Sequence, residues 1–277
     1  MLSLTPTTQL ILAAAKKHLK TSYATTSDAL LLNITAVVED LFAGRNLNYQ
    51  AADLRYHNLD HTLLATQCFI DLAAGRVSHA AQPTFTGRQF SLGYAAIMLH
   101  DCGYLKSRTD LLGTGAKYTA THVERSCTMA ASFLTTLGCN EDEIEGVLNA
   151  IRCTGLTSQI ELLSFRNATE RLTGCMVATA DYLGQMADPF YPVKLPSLFA
   201  EFEESNDFNQ VPTEKRLFKS AQELMAKTRG FWTNFALPKL EKDFEGVYRM
   251  LAENDHRNPY LESVDSNLKQ IEASAQK

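Results

Sequence analysis

Residues 90–99 form a nearly continuous apolar run that ends abruptly in His100-Asp101. Such a run predicts a helix buried on all sides, and it brings two polar, ligand-type side chains into the same interior. An unpaired buried carboxylate costs several kcal/mol, so Asp101 must be paired, metal-bound or exposed at the helix end. Helical spacing of apolar residues continues on both sides of this run. It predicts helices over residues 7–19, 28–44 (capped by Asp28 and stopped at Gly44), 58–74 (closed by Gly75), 121–137, 141–153, 167–186, 213–228 and 231–252, with a shorter one near 198–204. Residues 75–89 and 103–115 read as loops, and the segment after Glu253 reads as a polar tail. Strand-like alternation is scarce, nothing repeats at a fixed period, and no Pro/Gly/Ser linker divides the chain. The expected fold is all-α, one multi-helix bundle domain over residues 1–277.

The 277 residues are enough to bury a large core, and their charge balance narrows the partners. Net charge is −5 with no dense Lys/Arg run. That argues against a grip on a nucleic-acid duplex and leaves room for a small phosphorylated ligand in a local basic pocket. No basic residue precedes the apolar stretch at residues 10–15, so a secretory signal is not expected. No apolar run approaches the roughly 20 residues that span a bilayer. Six cysteines, at 68, 102, 127, 139, 153 and 175, include no C-x-x-C pair. Reduced thiols in apolar helical segments point to a cytoplasmic setting. Homo-oligomerisation is left open.

Three further side chains share the character of His100-Asp101. His57 and His61 are four residues apart, hence on one helix face at a Cβ spacing of about 5–6 Å, and can present two imidazoles to one cavity. Asp181 stands in mid-helix between the apolar Met176-Val177-Ala178 and Tyr182-Leu183, where metal ligation or a buried salt bridge has to account for it. Singly, each has an ordinary reading: surface or satisfied core histidines, a polar helix end, an internal ion pair. Together they share one cause, a site for one or two divalent metal ions.

The order H…HD…D on helices resembles the HD superfamily of metal-dependent phosphohydrolases. The resemblance covers about residues 56–181. It implies an HD-type bundle with a core over about residues 50–190 and flanking helices at both ends. His61, His100, Asp101 and Asp181 match the four signature ligands, and such sites hold Mn, Fe, Mg, Ni or Zn, which mixed N/O ligands discriminate weakly. The segment Tyr56-His57-Asn58-Leu59-Asp60-His61 is similar to a helix of cyclic-nucleotide phosphodiesterases. By that similarity His57 delivers a proton to the leaving oxygen or binds a second metal, and His61 binds the first. His122, at a helix start after a loop, is the candidate ligand of a second ion, and a solvent-facing histidine is the equally simple reading. The pattern also departs from its relatives. Tyr104 and Leu105 stand where phosphodiesterases carry a further histidine, and neither the Glu-Asp pair of alarmone hydrolases nor the G-Y-P signature of cyclic-dinucleotide hydrolases is present. The resemblance implies a superfamily and leaves the subclass open.

The expected function is metal-dependent hydrolysis of a phosphate ester, of a nucleotide by this resemblance, with metal-activated water as nucleophile. Arg125, three residues after His122 and so on a similar face, is the cation expected to neutralise phosphate beside the catalytic His57 and Asp101. Lys106, Arg108 and Lys117 read as solvated charges, and Lys194 as a weaker candidate. Phe190, Tyr191, Phe199 and Phe202 could wall a nucleobase pocket or belong to the core. Gly113-Thr114-Gly115 is too short for a phosphate loop. Two rival readings stand: a degenerate HD domain that binds a ligand or partner without catalysis, and a di-iron oxygenase of HD-like fold that needs both His57 and His122 as ligands.

Overall fold

Side-chain caps set most of the element boundaries in the computed structural model, which describes residues 6–253 and 257–275. Ten α-helices follow one another among these residues: α1 (Thr8–Ser22), α2 (Ala29–Phe42), α3 (Leu59–Ser78), α4 (Gly87–Leu99), α5 (His122–Thr136), α6 (Glu141–Arg152), α7 (Ala168–Met186), α8 (Tyr191–Phe208), α9 (Ala221–Phe231) and α10 (Pro259–Ala275). Among the described residues there is no strand, only an isolated bridge between Tyr49 and Ser107. The fold is all-α, as expected. Thr7, Asn58, Thr86, Asn140, Asn167 and Ser220 each accept a backbone N–H of the following first turn, satisfying donors that a helix start leaves bare.

Helices α3 and α7 pack against each other more extensively than any other pair. Their backbones nearly touch at Gly184, where a Cβ would lie 2.6 Å from Ala65 Cα. Substitution Gly184→Ala must push the two helices apart, and overpacking of this kind costs about 1–3 kcal/mol. A urea titration is expected to show that loss; a change below about 0.5 kcal/mol, the range of surface substitutions, would mean that the helices do not meet there. Helix α4 is enclosed by α2, α3, α6 and α7, and Tyr94 through Leu99 are fully buried, which is the environment its apolar run predicts. One hydrophobic cluster takes buried residues from α1 through α10. No helix among the described residues is long and apolar enough to cross a membrane.

Four elements differ from the sequence expectation. Helix α3 does not stop at Gly75 but runs on to Ser78. The missing side chain there admits the Met250 carbonyl, which would stand 1.8 Å from a Cβ. Helix α8 begins directly at the turn, at Tyr191, with Pro192 in its first turn where the absent N–H goes unmissed. Residues 213–220 contribute only a 3-10 turn, so α9 starts at Ala221, and beyond Phe231 the chain continues in two π-helical turns flanking Pro238. The polar tail contains helix α10, whose Tyr260, Val264, Leu268 and Ile271 are buried. Asn267 ties it to the end of α7 through the carbonyls of Met186 and Asp188.

Candidate metal centre

The candidate ligands come from helix ends and one helix interior. Asn58 caps α3 by accepting the His61 N–H, which fixes His61 in the first turn. His100 is the C-terminal cap of α4 with Asp101 next to it, and Asp181 projects from within α7. These four side chains converge. His61 Nε2 lies 3.3 Å from His100 Nε2 and 3.1 Å from Asp101 Oδ2. His100 Nε2 lies 3.3 Å from the same carboxylate oxygen. Asp181 Oδ1 stands 3.2 and 3.5 Å from the two imidazole nitrogens.

This geometry fits a cation. His100 donates its Nδ1–H to the Ile97 carbonyl at 2.7 Å, which leaves Nε2 facing inward. Asp101 Oδ2 is buried and makes no hydrogen bond of ordinary geometry. Buried polar atoms are rarely left so. Donor atoms about 2.0–2.2 Å from one ion stand about 3.0 Å apart at right angles and about 3.4 Å apart at tetrahedral angles. The triangle of His61, His100 and Asp101, with edges of 3.1 to 3.3 Å, falls in that range. The buried His61–His100–Asp101 group can therefore hold a metal ion.

Electrostatics give the same centre a pH signature. Burial works against charge on His61, but Asp101 and Asp181 outweigh it and hold the imidazole up at about 9. Burial opposes charge on His100 too, and the same carboxylates raise it well above its usual range. Asp101 and Asp181 are pushed up by burial and pulled further down by the imidazoles, ending below the usual carboxylate range. Because His61 sits above its ordinary 6.5, its contribution to the ion-free fold is complete below about pH 6.5 and is lost as pH rises through about 9. An ion must displace these protons, so its binding strengthens over the same interval. Titration with a divalent ion near about pH 7.5 is expected to release about one to two protons per ion, read by calorimetry in buffers of different ionisation enthalpy. Release of none would mean that the ion does not bind these nitrogens.

Two imidazoles flank the centre. His57 donates Nδ1–H to Glu201 Oε2 at 2.7 Å, while Glu201 Oε1 accepts the Tyr56 N–H at 2.7 Å. His122, the first residue of α5, donates Nδ1–H to the Thr119 carbonyl at 2.8 Å. Its Nε2 lies 3.7 Å from Asp101 Oδ1, and burial lowers its pKa. The Tyr104 ring stacks on both, at centroid distances of 4.6 Å to His57 and 4.4 Å to His122. Asp181 has its own support: Gln185 Nε2 donates to it at 3.3 Å, and Tyr56 OH donates to Gln185. Glu201 and Gln185 were not singled out from the sequence, and Tyr104 was noted only as a departure from the phosphodiesterase pattern. Glu201 is separated from His57 by 144 residues, and no local pattern announces the pair.

The cations behave differently from the sequence expectation. The Arg125 guanidinium donates to the carbonyls of Gly103 and Leu105 and lies over the Tyr118 ring. The i+3 spacing from His122 was right about the helix, but the carbonyls of the turn after Asp101 take the side chain. Lys106 pairs with Asp53, Arg108 with the carbonyls of Gly44 and Asn46, Lys117 with Asp110, and Lys194 with Asp188. Lys106 and Lys117 are buried rather than solvated. Thr114 and Gly115, in the short glycine-bounded segment, give their N–H groups to Glu204 and Asp53. Of the aromatics, Tyr191 is buried beside a small cavity next to His61 that Tyr56, Gln185 and Lys194 also line. Phe202 stacks on Phe218, and Phe190 is exposed. All six cysteines are free and buried.

A family model described as Npun_R2479-like matches residues 5–272. The chain belongs to the Npun_R2479-like family. None of the curated proteins matches it. The match takes in all ten helices of this Npun_R2479-like protein except the last residues of α10, so the metal-competent centre and the elements that support it all lie inside the family region.

Proposed function

We propose that this Npun_R2479-like chain binds a divalent metal ion at His61, His100, Asp101 and Asp181 and hydrolyses a phosphate ester, as an enzyme of HD type. The observation that carries this reading is Asp101 Oδ2, a buried oxygen without a well-formed hydrogen bond, with two imidazole nitrogens 3.1 and 3.3 Å away. When bound, the ion supplies Lewis acidity and lowers the pKa of water toward neutrality. The chain supplies the rest. His57, tethered through Nδ1 to Glu201, keeps Nε2 for passing a proton to the leaving oxygen. His122, whose pKa burial lowers, offers Nε2 beside Asp101 Oδ1, as a proton acceptor or as ligand to a second ion. Gln185 and Tyr56 fix the Asp181 carboxylate, the work that outer partners do at metal sites. With Arg125 and the neighbouring lysines engaged elsewhere, neutralising the phosphate falls to the ion and to His57.

A nucleotide is the ester of choice because segment 56–61 is similar to cyclic-nucleotide phosphodiesterases. The test is phosphate release from nucleoside monophosphates, cyclic nucleotides and dinucleotides by protein loaded with Mn, Fe(II), Mg, Ni or Zn. The Asp101→Ala protein serves as blank. Turnover above the blank supports the reading. Loaded protein that cleaves none of them refutes it, and oxygen uptake with Fe(II) in place of phosphate release would favour the oxygenase.

A further inference from the structure

We infer that Tyr104 is a positioning residue that holds the His57 and His122 imidazoles in single orientations beside Asp101; as a statement about catalysis this rests on the hydrolase reading above. Tyr104 is 3% exposed, yet it does not belong to the main core. Its apolar neighbours form a separate small cluster with Leu54 and Ala116. Two imidazoles lie nearly parallel to its ring, at 18° for His57 and 15° for His122. Thr119, whose side chain stands near the Tyr104 hydroxyl, is also the residue whose carbonyl takes the His122 Nδ1–H.

A single hydrogen bond at Nδ1 leaves an imidazole free to swing about that bond. A flat wall removes this freedom. His57 has Glu201 at one nitrogen and Tyr104 against its face, and His122 has Thr119 and Tyr104 in the same two roles. Each ring is thereby fixed in plane as well as in tautomer, with Nε2 as the nitrogen left for chemistry. The wall is also rigid, because Tyr104 ends the 3-10 turn that follows Asp101, so the plate and the metal-competent carboxylate move as one piece.

The experiment compares wild type, Tyr104→Phe and Tyr104→Leu as metal-loaded full-length proteins. Tyr104→Met, whose longer flexible side chain can fill the ring's place without a flat face, stands in if the leucine variant does not fold. Imidazole tautomers are read by 15N-correlated NMR, and kcat and KM are measured on the ester with the fastest wild-type turnover. Tyr104→Phe, which keeps the ring, is expected to retain kcat within about threefold and both tautomers. Tyr104→Leu is expected to lose kcat by about 10- to 100-fold, the scale on which small misplacements act, with KM and metal content close to wild type and with mixed tautomers at His57 or His122. Unchanged tautomers in the leucine or methionine variant would overturn the inference, as would a phenylalanine variant as damaged as the leucine one. If wild type cleaves no ester, the hydrolase reading falls, while the tautomer comparison still decides whether Tyr104 orients the two rings.

Discussion

Replacing Asp101 by alanine is expected to abolish both metal binding and turnover. The substitution removes the oxygen that stands 3.1 Å from His61 Nε2 and 3.3 Å from His100 Nε2. Two imidazole nitrogens 3.3 Å apart then share only Asp181. Loss of an outer partner alone costs a metal site about 10- to 100-fold, so loss of a ligand should lower kcat/KM by more than about 100-fold. The fold should survive, because the Asp101 side chain caps nothing: no hydrogen bond joins it to the 3-10 turn it precedes. Thermal unfolding with and without added ion separates these effects. Wild type should gain stability from the ion by mass action, and Asp101→Ala should gain none. A variant that keeps both ion and activity would remove Asp101 from the centre.

His57→Ala should show a different pattern, a loss of rate with the ion retained. General acids contribute about 10²- to 10⁴-fold, and the loss should appear on esters whose leaving oxygen needs a proton. On a p-nitrophenyl ester, whose leaving group departs as the anion, it should shrink to less than about tenfold. Metal content should be unchanged, since His57 bonds Glu201 rather than any member of the His61–His100–Asp101 group. Equal losses on both esters would deny His57 the acid's role. A parallel loss of half the bound metal would make it a ligand of a second ion.

Part of this centre was legible in the chain because its members break local rules. His100-Asp101 ends an apolar run, and Asp181 interrupts one, so burial and charge conflict visibly at both. His61 declared itself by its spacing from His57. The supporting residues break no local rule. Glu201 lies in Glu201-Phe202-Glu203-Glu204, where one carboxylate looks like the next, and only its tie to His57, 144 residues away, sets it apart. For Arg125 helical spacing gives a face and not a partner, and its guanidinium is taken by the carbonyls of Gly103 and Leu105. Helix α10 was lost to its polar composition, although Tyr260, Val264, Leu268 and Ile271 recur at the helical period and are buried. Gly75 misled because a glycine usually marks a helix end, whereas here it marks the approach of a distant carbonyl. Local patterns report helices and anomalies; long-range packing chooses the partners.

The most direct test of this account is elemental analysis of native protein purified without chelators. The account predicts about one divalent transition metal or Mg ion per chain, or two if His57 and His122 complete a second site, and loss of the ion in Asp101→Ala. Wild-type protein that contains no such ion, and takes up none when it is supplied, would contradict it.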